Sequence, residues 1–286
     1  MRNLRNYSFL LILLGLLFST CSKEKYEATL PTYITIESIV LTTDYANEGS
    51  ASSAISDAWV YVNDDLIGVY ELPATFPVLR EGNVELKVFA GIKDNGISAS
   101  RARYTLLDPH VQQVDLIKGE TIKISPQFKY NSAVNFAWLE DFENVSLSFL
   151  YTSGSDTVIN RQNTDVKEGS FSGSVVLTDD MDFFEATSIA YSNIPRLATP
   201  VYLEMDFKTN EPLLVGIYHN QDAFAVVTLN TTETWKKIYI NLTEMVSSRQ
   251  SASDVKVFFG MLDSSADPFL TSSPQVHIDN LKLVHY

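Results

Sequence analysis

The side chains best placed to take a ligand lie in two acidic stretches of an otherwise apolar pattern. Residues 276–284 read Val-His-Ile-Asp-Asn-Leu-Lys-Leu-Val, and residues 141–145 read Asp-Phe-Glu-Asn-Val. In the first, Val276 and Ile278 share one face of a strand, while Leu281 and Leu283 share a face one residue out of phase. A period of two slips only where a residue is inserted, so the pattern predicts a bulge at Asp279-Asn280. Such a bulge re-aims the Asp279 carboxylate. Hard cations such as calcium take six to eight oxygens from carboxylates and carbonyls, and acids at strand ends can supply them. The same acids can equally stand in water or pair with a base.

Aromatic residues form a second set. Alternation turns Val201, Leu203, Met205 and Phe207 inward and Tyr202, Glu204 and Asp206 outward. Tyr218 shares a face with Leu214 and Gly216, Phe224 alternates with Ala225 and Val227, and Tyr239 opposes Ile238 and Ile240. One sheet face could then collect Tyr202, Tyr218, Phe224 and Tyr239, with Glu204 and His219 nearby. A sugar needs this mixture: flat rings against its C–H faces and a few polar groups for its hydroxyls. The competing reading is cross-strand aromatic pairing, which stabilises a sheet by about 0.2–1 kcal/mol per pair.

Catalytic patterns are weak by comparison. Residues 169–173 read Gly-Ser-Phe-Ser-Gly, which has the form of a nucleophile elbow. An elbow opens a helix, whereas Val175-Val176-Leu177 continues as a strand. The sequence has no His-Glu-x-x-His, no phosphate loop and no Cys-His cluster for zinc. A pair of carboxylates in a glycosidase cleft stays open as an alternative.

The elements that must position these residues are short and alternating. Trp59 to Val62 reads as a strand with Trp59 in the core, Asn63-Asp64-Asp65 as a turn, and residues 66–70 as the returning strand. Asn220-Gln221-Asp222 marks a second hairpin. Residues 140–145 read as an opening strand of a second unit and residues 276–284 as its closing strand. No segment sustains a helical period. The expectation is all-β: a small antiparallel β-sandwich over 31–130 and a second over 131–286.

The formal charge is -14, or -16 without residues 1–20, which hold Arg2 and Arg5 and no acid. That argues against nucleic acid and anionic lipid as partners, since both need clustered Lys and Arg, and it serves solubility. The sole cysteine, Cys21, rules out an intrachain disulfide. It follows a basic start, an apolar run over residues 9–18 and small polar Ser19 and Thr20. A run of this length is too short to span a bilayer, where about 20 residues are needed, and it has the layout of a secretory signal.

Residues 1–21 resemble a bacterial lipoprotein signal, with Phe18 and Thr20 departing from the usual residues. The resemblance implies lipidation of Cys21, a tether over 21–30, and a protein of the Bacteroidota type held on the outer membrane, facing the surface or the periplasm. Ala58 to Val78 with Gly82 resembles PEGA-like and immunoglobulin-like surface modules. In 131–286 the acidic opening stretch, the Gly-rich turn at Lys167 to Gly173, the Trp235 segment and the Ile-Asp-Asn-Leu closing strand resemble the galactose-binding and carbohydrate-binding jelly rolls. That resemblance implies one structural calcium held by Glu143, Asp279 and carbonyls near Lys167 and Gly169, with Asp141 in reserve. It also implies a non-enzymatic binding role with a glycan as ligand. The alternatives are an accessory subunit bound to an outer-membrane uptake, secretion or assembly protein, and a glycan-active hydrolase.

Overall fold

The computed structural model describes residues 29–249, 254–262 and 273–286. Cys21 and the expected signal lie outside the described residues. The N-terminal part contains β1 (Thr32–Ile36), β2 (Val40–Leu41), α1 (Tyr45–Glu48), β3 (Asp57–Val62), β4 (Asp65–Glu71), β5 (Ala74–Val78), β6 (Gly82–Lys93), β7 (Arg101–Arg103), β8 (His110–Leu116), β9 (Thr121–Ile124) and β10 (Gln127–Phe128). The C-terminal part contains β11 (Asn135–Glu140), β12 (Leu150–Tyr151), β13 (Asn160–Gln162), β14 (Ser172–Val176), β15 (Phe183–Thr187), β16 (Val201–Thr209), β17 (Leu213–His219), β18 (Asp222–Leu229), β19 (Lys236–Asn241), α2 (Thr243–Ser247), β20 (Lys256–Leu262) and β21 (Gln275–His285). The chain is all-β.

In the N-terminal sandwich the sheet β4-β3-β6-β7, with β8 added on β6, faces the sheet β5-β1-β9 and the pair β10-β2. The turn between β3 and β4 places Asn63 and Asp64 at φ 50° and 66°. Asn and Asp tolerate that left-handed conformation, and its twist matches that of the two strands. Ala58, Val60 and Val62 face the core. Trp59 therefore points away from it, a correction to the sequence expectation: β3 is read in the opposite phase.

The C-terminal jelly roll has two sheets. The first, here the inner sheet, runs β13-β14-β21-β16-β19, with β11 also paired to β21. The second, the outer sheet, runs β12-β15-β20-β17-β18. Between them lie Val201, Leu203, Met205, Val215, Ile217, Ile240, Val257 and Phe259, all at 0% exposure. Each such side chain stabilises the fold by about 1.5–3 kcal/mol. The expected bulge is present: Glu204 pairs with Lys282 but Asp206 pairs with Asp279, so β21 carries an extra residue, and Asn280 sits at φ 50°. The opening strand lies five residues earlier than expected. It ends at Glu140, because Phe142 adopts φ 59° and turns the chain out of the sheet.

Candidate functional site

Glu204, Tyr202 and Tyr239 leave the jelly-roll core on the inner sheet, as alternation requires, yet they are only 0%, 6% and 3% exposed. The N-terminal sandwich covers them. The Tyr104 ring lies 5.1 Å from that of Tyr202 and 4.9 Å from that of Tyr239. Tyr104 and Tyr130 donate their hydroxyls to Glu204 Oε1 at 2.5 and 2.8 Å. Ser52 donates to Asp206 at 2.9 Å, and Ala54 N–H donates to the Tyr239 hydroxyl at 3.1 Å. These three predicted ligand residues are thus structural groups in a seam between sandwiches.

The seam is highly charged. Lys282 Nζ donates to the Ser50 carbonyl at 2.6 Å and to the Tyr130 hydroxyl at 3.3 Å. Burial lowers its pKa to about 8, against the pull of Glu204. Lys237 lies 3.7 Å from Glu204 and 3.8 Å from Asp206. Burial raises the Asp279 carboxyl to about 7, although the N–H groups of Glu168, Asn280 and Lys167 favour its anion.

The residues expected to hold calcium do converge, but their lone pairs face donors. Asp279 Oδ2 accepts from Lys167 N–H and Glu168 N–H, each at 3.2 Å. Glu143 Oε1 accepts from the N–H groups of Ser170 and Phe171 at 2.7 and 3.0 Å, beside Gly169. Asp141 accepts from the Glu143 N–H and the Tyr45 hydroxyl. The carbonyls of Phe142 and Glu143 accept from Arg161 at 2.6 and 3.0 Å. Among the described residues no cluster of three or more His, Cys, Asp or Glu is arranged to hold a metal. This donor set does not fit a calcium cage: Arg161 and backbone N–H groups join the segments a cation would join.

The remaining predicted ligand residues lie on the outer sheet, but not on one face. Phe224 pairs with Ile217, and His219 pairs with Asp222. A register shift between Val215 and Gly216 puts Phe224 on the core side, where Arg249 lies 3.6 Å over its ring. His219 is 3% exposed, and burial lowers its pKa. Tyr218 alone of the six stands on the far face of the outer sheet, half-buried. Its hydroxyl donates to Glu185 at 2.9 Å and its ring is tilted against Phe258 at 5.2 Å. Burial, then the bond to Glu185, raises its pKa to about 12. A side chain at Gly216 would meet the Phe258 ring at 2.5 Å, so the glycine makes room for that ring. Lys256 pairs with Tyr218, and Leu150 and Leu262 stand at 49% and 65% exposure on the same face. Sequence reasoning missed Glu185 and Lys256. The alternation of Glu185 with buried Phe184 and Ala186 was a readable signal for the first.

No family model and no curated protein matches the chain. Among solved structures, the C-terminal family 22 carbohydrate-binding module of Clostridium thermocellum Xyn10B is 12% identical, covering 54% of this chain and 96% of its own, at TM-score 0.37. TmCBM61 in complex with β-1,4-galactotriose is 11% identical, covering 51% and 91%, at 0.33. The enzymatically active domain of bacteriophage CBA120 tailspike protein 4 is 16% identical, at 0.38, and the chain covers 51% of itself and 20% of that protein.

Proposed function

We propose that this is a non-enzymatic, lipid-anchored protein of the bacterial outer membrane whose jelly roll takes a glycan on the outer sheet. The observation that carries the reading is Tyr218. The N-terminal sandwich packs on the inner sheet, whereas on the outer sheet Tyr218, half-buried, is fixed by Glu185 beside Lys256 and Gly216. A ring held at its hydroxyl by a carboxylate, with a cation and a small residue alongside, suits a sugar: one apolar surface and a few fixed hydrogen-bonding groups. Tyr218→Ala should weaken retention on a glycan affinity gel about tenfold, or about 1.4 kcal/mol, and lower the melting temperature by only a few degrees. If the wild-type protein retains no glycan on a broad array, the reading fails, and the face with Leu150 and Leu262 goes to a protein partner.

The anchor rests on Cys21 and the sequence before it. Acyl chains gain about 0.8 kcal/mol per buried methylene, and stable anchoring takes more than one chain. Cys21→Ala should move the protein from the membrane pellet to the soluble fraction. Quantitative sedimentation of that variant with outer membranes would overturn the tether.

A further inference from the structure

The inner sheet is not covered along its whole length. Where β16 and β21 run out past the N-terminal sandwich, a cavity of about 660 Å³ opens, lined by Thr209, Thr231, Thr232, Glu233, Gln275 and His277 among others and by no residue of the N-terminal sandwich. Its size is that of small-molecule sites, which run from about 300 to 1,000 Å³.

Beside it stands Trp235, half-buried, its ring 6.2 Å from that of His277. The indole N–H donates to Asp165 Oδ1 at 2.8 Å, and Lys208 Nζ donates to Asp165 Oδ2 at 2.6 Å. These bonds fix the indole plane and spend the lysine's charge. His277 is 8% exposed and its Nδ1 has no partner among the described residues. A buried polar atom left unpaired costs free energy, and native structures usually give it a partner. A ligand hydroxyl in the cavity would be one.

We infer that this cavity is a second binding site, for one or two rings of a neutral sugar, on the opposite sheet from Tyr218. The hydroxyl and amide groups of Thr231 and Gln275 can each donate and accept, as a polyol requires. The charges around the cavity, Lys208 against Asp165 and Glu233, leave no spare cation for a uronic acid. The site does not depend on the outer-sheet reading.

Saturation-transfer NMR on the full chain tests it, with cellobiose, xylobiose and galactobiose as neutral probes and glucuronate as the acidic one. A Thr231→Val, Gln275→Ala double variant should reduce transfer to the responding disaccharide at least fivefold relative to Tyr218→Ala. Equal transfer in the double variant and wild type overturns the inference, and loss confined to Tyr218→Ala does so while upholding the outer-sheet reading. Silence from every neutral probe, or stronger transfer to glucuronate, also overturns it.

Discussion

Asp279 is a carboxylate buried to 0% exposure whose N–H neighbours favour its anion and whose surroundings favour its acid. Burial is the larger effect and places its pKa at about 7, above the ordinary 3.8. Between those values the folded protein holds a proton that the unfolded chain has released. Stability from this group is therefore fully present below about pH 4 and is lost as pH rises to about 7. At 1.36 kcal/mol per pH unit the ceiling is about 4 kcal/mol, and relaxation should leave about half of it. Asp279→Asn should flatten the fall of melting temperature between pH 4 and pH 7. Equal slopes in wild type and variant would show that another group sets the dependence. Because Arg161 and backbone N–H groups satisfy the acids nearby, a chelator should leave both curves unchanged.

Gly216 decides the shape of the outer sheet. It sits at the register shift between β17 and β18, where an added side chain would meet the Phe224 carbonyl at 2.3 Å and Phe258 at 2.5 Å. Gly216→Ala should destabilise the fold by at least about 1–3 kcal/mol, the usual range for overpacking, read by chemical denaturation; a neutral change would mean the strands part freely there. Such packing shows how far the sequence could be read. Strand phase was legible at Val201 through Phe207 and at Ile238 through Leu242, because burial on one face imposes a period of two. The bulge at Asn280 was legible for the same reason. Periodicity says which face a residue takes and nothing of what covers that face, so Tyr202, Glu204 and Tyr239 read as a binding surface. Phe224 changed sides because a bulge without an apolar phase slip leaves no trace. Phe142 and Val145 looked like strand residues, but the chain turns at Phe142. The acids Glu143 and Asp279 both meet the Gly-rich loop, yet the choice between Arg161 and a cation depends on geometry that periodicity does not carry.

The two sandwiches meet through charged groups and tyrosines that neither could leave in place alone. Fragment 131–286 would expose Glu204, Asp206 and Tyr239, and fragment 31–130 would expose Tyr104 and Tyr130. The intact protein should therefore melt in one transition. Lys282→Met should lower its stability by about 3–5 kcal/mol, the cost of removing one partner from a buried ionic group, since Glu204 and Asp206 would then face Lys237 as their remaining cation. Calorimetry showing two resolved transitions in the wild type would mean that the seam does not couple the sandwiches.

Strand β21 pairs with β11, β14 and β16 at the middle of its sheet, and it follows every other strand of the jelly roll in chain order. During synthesis from the N-terminus the centre of this sheet is thus the last part to emerge. Until residue 285 has left the ribosome, β11, β14 and β16 have no central partner and the Lys282 ammonium is missing from the seam. However early the strands around it are made, the inner sheet of the jelly roll can close only when its last strand has arrived, while the residues that fill the N-terminal core are nearly all made long before.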